Sequence, residues 1–148
     1  MKYAIVFPGQ GSQSLGMLSD LADNFPIVKE TFTEASDALG FDLWALTQTD
    51  QDALNQTQNT QPAMLAAGYA TYKVLTIETD LSPVCMAGHS LGEYTALVAS
   101  GALNFSDGIK LVQTRAELMQ SAVPAGVGAM AAILGLEDEV VVKVCGDY

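Results

Sequence analysis

Gly88-His89-Ser90-Leu91-Gly92 is a Gly-x-Ser-x-Gly segment between a short apolar run and a helix-forming stretch. A serine on a tight strand-to-helix turn projects its hydroxyl clear of the backbone. Small residues two positions to either side leave room for that turn. The following helix points its N-terminal end at the site, where its first amide, that of Leu91, can stabilise charge developing on an attacked carbonyl oxygen. The spacing describes a nucleophilic hydroxyl, with an ordinary tight turn as the alternative.

Partners for such a serine are scarce, because the chain holds one histidine, His89, and one arginine, Arg115. Side chains of adjacent residues at a sharp elbow point different ways, so His89 is placed wrongly to act as general base for Ser90. It reads as a packing or hydrogen-bonding residue under the elbow. The base is then a carboxylate or a lysine, or the sequence is an incomplete enzyme.

Arg115 is the second signal. On a helix its neighbours three and four residues away are Leu111, Val112, Leu118 and Met119, all apolar. A guanidinium half-buried among them needs an anion, since an unpaired buried charge is very costly. A distant carboxylate of this chain would serve, and so would the carboxylate of a substrate, which suits a planar fork.

The early loop Gly9-Gln10-Gly11-Ser12-Gln13-Ser14-Leu15-Gly16 is glycine-rich but matches no nucleotide motif. Ser14 stands where a dinucleotide fingerprint has its third glycine, and Met17-Leu18 replaces the Lys-Ser/Thr of a phosphate loop. What remains is either a plain turn or a loop that brings backbone amides close to a ligand, as the second oxyanion donor of elbow enzymes requires.

The elements that position these residues alternate between strand and helix. Tyr3–Phe7 and Val84–Ala87 read as short strands buried on both faces, and Cys85 as a small core residue. Leu18–Leu39 is helical in pieces around Pro26, with Val28, Phe32, Ala35 and Leu39 on one stripe. Thr47–Gln61 reads as a polar loop with one helical turn, and Pro62 opens an alanine-rich helix to about Thr76. Leu91–Ser100 is a helix stopped at Gly101, and Ser106 or Asp107 caps another running to about Val123. Gly128–Leu134 reads as a strand and Glu137–Cys145 as a helix. This order predicts an α/β fold with a largely parallel sheet.

The 148 residues suit one domain, and the 49% apolar content supplies a core. A net charge of −11 excludes non-specific nucleic-acid binding and docking on anionic membranes. Cys85 and Cys145 are too few for a disulfide framework, and no Cys/His spacing suggests a metal site. The N-terminal apolar run ends at Pro8-Gly9, too short for a secretory signal. Leu118–Leu136 carries no charge over a span-like length, but Pro124, Gly126, Gly128 and Gly135 break it. A cytoplasmic protein is expected.

Together, FPGQGSQ at Phe7–Gln13, TQPA at Thr60–Ala63, AGHSLGEY at Ala87–Tyr94, the Arg115 helix and AVPAGVGAMAAILGL at Ala122–Leu136 closely resemble the bacterial malonyl-CoA:acyl-carrier-protein transacylases. The acyltransferase domains of polyketide and fatty-acid synthases share most of these motifs. The resemblance implies transfer of malonyl from malonyl-CoA to the phosphopantetheine thiol of acyl carrier protein, through a malonyl ester on Ser90, with no bound cofactor. It assigns the oxyanion hole to the amides of Gln10 and Leu91, the malonyl carboxylate to Arg115, and a place near the acyl pocket to Gln61. Leu91 beside the serine favours malonyl over methylmalonyl.

The fold implied is an α/β-hydrolase-like core over residues 1–124, with residues 125–148 beginning a ferredoxin-like subdomain. Family members run to roughly twice this length and carry their catalytic histidine in the remaining half, so the chain alone is expected to be inactive. Ala116 stands where the family commonly has glycine. A Gly-x-Ser-x-Gly hydrolase or thioesterase, which has no need of Arg115, and a non-catalytic binding remnant are the competing readings.

Overall fold

The computed structural model describes residues 2–123, 127 and 133–147. From the N-terminus run β1 (Ala4–Phe7), α1 (Ser19–Asn24), α2 (Pro26–Leu39), α3 (Leu43–Thr49), α4 (Gln51–Leu54) and α5 (Thr57–Glu78). β2 (Cys85–Gly88), α6 (Leu91–Ala99), α7 (Phe105–Ser121) and α8 (Asp138–Gly146) follow. The fold is α/β, and among the described residues its sheet is one parallel pair, β1 with β2, in the register Ala4↔Cys85 to Phe7↔Gly88.

The core gathers on α5, which packs against α2, α6 and α7. Every residue from Thr60 to Ala67 is buried, so small alanines let neighbouring helices approach from several sides rather than on one stripe. Opposite them lie Val28, Phe32 and Ala35 of α2, Leu43 of α3, Leu54 of α4, and Ile109 and Val112 of α7. The Phe32 ring meets the Trp44 indole edge-on at 5.0 Å between centroids. The Lys73 ammonium lies over the Tyr69 ring, 4.6 Å from its centroid. Burial, then Glu34 and Tyr72, holds the Tyr69 phenol above its ordinary pKa.

The break at Pro26 and the stop at Gly101, whose φ is +77°, are as expected. Other expectations need correction. The strands are not buried on both faces: of β1 only Phe7 is buried, Val6 is 71% exposed, and β2 has no buried residue. Cys85 is exposed rather than a core residue. The physical reason is the small sheet, which has too few described elements packed against it to cover both faces.

Thr47–Gln61 is mostly helical instead of a loop. Asp42 and Asp50 each accept a hydrogen bond from an amide three residues on, Ala45 at 2.8 Å and Ala53 at 2.9 Å, and so start α3 and α4. Pro62 lies inside α5, not at its start. The cap of α7 is Asn104, whose side chain accepts from the Asp107 amide at 3.2 Å, not Ser106 or Asp107. Most of the strand expected at Gly128–Leu134 lies outside the described residues, and Ile133 and Leu134 are not in a strand. No helix among the described residues is long and apolar enough to cross a membrane.

Candidate active site

Ser90 stands at the turn from β2 into α6 with φ 53° and ψ −107°, one of two described non-glycine residues with positive φ. Such a conformation costs about 1–3 kcal/mol and persists only where its surroundings enforce it. Here two glycines do so. A Cβ on Gly88 would collide with the backbone of Gly92, and a Cβ on Gly92 with the carbonyls of Phe7 and Pro8. The first turn of α6 is thereby pressed onto the end of β1, and the His89 amide donates to the Phe7 carbonyl at 3.3 Å. Gly92→Ala should therefore lower stability by about 3 kcal/mol, since neither backbone can retreat. An unchanged urea midpoint would show that the two backbones are not in forced contact.

The serine side chain is exposed, while Leu91 behind it is only 1% exposed and anchors α6 in the core. Among the described residues the amides of Leu91 and Gln10 have no acceptor, which leaves both available to an oxygen near Ser90. The Gln10 loop runs beside the elbow. A Cβ on Gly9 would come within 2.8 Å of the His89 carbonyl and 3.1 Å of His89 Nδ1. The His89 ring thus lies against this loop, and it makes no hydrogen bond to Ser90 among the described residues, consistent with a packing role.

The polar stretch that looked like a loop holds Gln10 and its neighbours in place. Gly16 donates to the Thr47 carbonyl at 2.9 Å, Gln48 Nε2 to the Met17 carbonyl at 3.1 Å, Gln13 Nε2 to Asn55 Oδ1 at 3.2 Å, and Gln10 Nε2 to Thr57 Oγ1 at 3.4 Å. Within the loop Gln13 Oε1 accepts from the Gly11 amide at 2.8 Å. Gly11 takes φ +106°, which a Cβ would penalise.

Arg115 enters from α7. Its Nη1 donates to Gln61 Oε1 at 2.7 Å and its Nη2 to Ser90 Oγ at 3.0 Å. The guanidinium carbon lies 5.5 Å from the centroid of the Tyr94 ring. Gln61 is fully buried on α5, and its Nε2 lies 3.5 Å from the sulfur of Met119. Four of the five residues singled out from the sequence therefore meet: Ser90, Leu91, Arg115 and Gln61. Gln10 lies on the adjoining loop.

The surroundings of Arg115 differ from those expected. Leu111 and Leu118 are exposed and line an open apolar groove of about 390 Å³ beside the guanidinium. No carboxylate pairs with Arg115: the single ion pair among the described residues is Lys29–Asp23. The cation is held by a neutral amide, a hydroxyl and an aromatic face, all compatible with a further anionic partner. Tyr94 was not foreseen. Its place one turn into the helix that follows Ser90 was the available signal.

A strained serine, two free amides and an arginine within reach of the hydroxyl make a constellation suited to acyl transfer from an acid-bearing acyl group. Known proteins resemble the chain over nearly its whole length. The chain is 56% identical over 145 residues to the malonyl CoA-acyl carrier protein transacylase of Escherichia coli (strain K12), which covers 97% of this chain and 47% of that protein. The structure of the malonyl CoA-acyl carrier protein transacylase of Coxiella burnetii superposes with a TM-score of 0.95 at 52% identity, over 99% of this chain and 47% of the other. A malonyl-transacylase solved in complex with its type II PKS acyl-carrier protein superposes with a TM-score of 0.94 at 53% identity, over 99% of this chain and 48% of the other. The chain thus spans about half the length of the relatives it matches. The model of the acyl transferase domain matches residues 4–147, nearly the whole chain, and the chain belongs to that family.

Proposed function

We propose that this chain supplies the nucleophile, the oxyanion hole and the carboxylate clamp of a malonyl-CoA:acyl-carrier-protein transacylase. The observation that carries this reading is the Arg115 guanidinium, 3.0 Å from Ser90 Oγ and unmatched by any described carboxylate. Ser90 Oγ attacks the malonyl thioester carbonyl. An Oγ–C bond forms, the C–S bond breaks, and coenzyme A leaves as its thiol. The hydroxyl proton passes to a general base of the imidazole class, which this chain does not place at Ser90. The pantetheine thiol of the carrier protein then attacks the ester carbonyl, its proton returns through the same base to Oγ, and malonyl departs as the new thioester. The amides of Gln10 and Leu91 hold the oxyanion in both steps, and Gln61 orients Arg115 toward the malonyl carboxylate.

The elbow and the parallel pair support an α/β-hydrolase-like core over residues 1–124, with residues 125–148 opening a second, ferredoxin-like subdomain. A substrate drawn from the coenzyme A pool suits a cytoplasmic enzyme. The hydrolase reading is weaker, because release of an acyl group to water gives no role to a guanidinium on the nucleophile. Thiol transfer measured against free acid release separates the two.

The 148-residue chain alone should show little or no turnover of malonyl-CoA with carrier protein. Joining it to the second half of the Escherichia coli relative should restore transfer. Full transfer by the chain alone, read by mass shift of the carrier protein, would place the base inside it and overturn this division of labour.

A further inference from the structure

We propose that Arg115 holds Ser90 in an unreactive resting state, and that the carboxylate of an incoming acyl group releases it. The inference rests on the reading of Ser90 as nucleophile and adds how acid-bearing groups are selected. In the structure the hydroxyl accepts a hydrogen bond from a cation, Arg115 Nη2, at 3.0 Å. The oxygen lone pairs that must attack a carbonyl are drawn toward that positive charge, and the guanidinium stands next to the atom an acyl group has to reach.

The two ends of the guanidinium are held unequally. Nη1 is bound at 2.7 Å by Gln61, which is fully buried on α5. Nη2 reaches out to an exposed hydroxyl. The Tyr94 ring, carried by the helix that the serine caps, lies beside the group at 5.5 Å. Gln61 is thus a fixed pivot, and the Nη2 end is the one free to change partners.

A carboxylate offers that end a charge-assisted hydrogen bond, roughly twice as strong as one between neutral groups. It takes Nη2 from the hydroxyl and leaves the pivot bond in place. A neutral acyl group has nothing to exchange, so it meets a serine whose lone pair remains engaged. Discrimination then falls on the chemical step as well as on binding.

A passive clamp and a releasing one differ in how the serine treats reagents that carry no acid. A passive clamp leaves them unaffected by the loss of Arg115, whereas a releasing one makes them faster. The probe is a neutral alkyl fluorophosphonate, which phosphonylates Oγ and expels fluoride. It is applied to the 148-residue chain and to the hybrid with the second half of the Escherichia coli relative, with Ser90 labelling followed by peptide mass.

Arg115→Met should label about tenfold faster than wild type, the effect of freeing one hydrogen bond to a charged group. Arg115→Gln removes the positive charge but keeps a polar side chain at the same place, and it should also label faster. It serves as the second variant if circular dichroism shows Arg115→Met to be unfolded. Folded variants that label no faster than wild type overturn the release mechanism while leaving Ser90 a nucleophile. Absence of Ser90 labelling in every protein overturns the nucleophile as well, so the two failures are distinguishable.

Discussion

Ser90→Ala is expected to abolish the covalent malonyl adduct and to lower transfer to carrier protein by about 10⁴-fold or more, the usual scale for removing a catalytic nucleophile. The measurement uses the hybrid that joins this chain to the second half of the Escherichia coli relative. Malonyl-CoA is added, the reaction is quenched with acid, and the Ser90 peptide is weighed. The hydroxyl is exposed, so its removal leaves no cavity in the core and the variant should melt with the parent protein. A loss of activity without a loss of stability would then belong to the chemistry. An adduct that persists in Ser90→Ala, or one found at another residue of the wild-type hybrid, would end the assignment.

Arg115→Ala should lower malonyl transfer by about 100-fold while acetyl transfer does not fall with it. The asymmetry follows from charge. The guanidinium has no carboxylate partner among the described residues, so its replacement breaks no internal ion pair. What disappears is the anion's binding partner, and a charge-assisted guanidinium–carboxylate contact is among the strongest polar contacts available. Comparison of kcat/KM for malonyl-CoA and acetyl-CoA tests this directly. Parallel losses with both substrates would mean that Arg115 only supports the elbow through its bond to Ser90.

Much of the site could be read along the chain because its parts are local. Gly88, Ser90 and Gly92 lie within one turn, and the steric demand of that turn is written in the residue types. The Arg115 contacts were not readable in the same way. Gln61 and Arg115 are 54 residues apart, and only the packing of α5 against α7 brings them together. Helical periodicity placed Arg115 among leucines. It could not show that Leu111 and Leu118 face an open groove.

The strands were misjudged for a related reason. An apolar run such as Tyr3–Phe7 records how a strand can be covered, while the cover itself comes from elements elsewhere. In the polar stretch, composition concealed the caps. Asp42 and Asp50 precede short helices whose interior residues are ordinary, and the aspartates were the better signal.

The register of β1 on β2 bears on how the site is assembled. Ala4 pairs with Cys85, so closing this sheet joins segments about 80 residues apart, and that loss of chain entropy must be met before any ladder hydrogen bond is gained. The helices between them close on nearer neighbours. The Ser90 turn is pinned by β1 through Gly92 and the Phe7 carbonyl, so its geometry hangs on a contact between distant segments of the chain. The strained turn at Ser90 is a property of the closed topology, because the end of β1 is part of what enforces it.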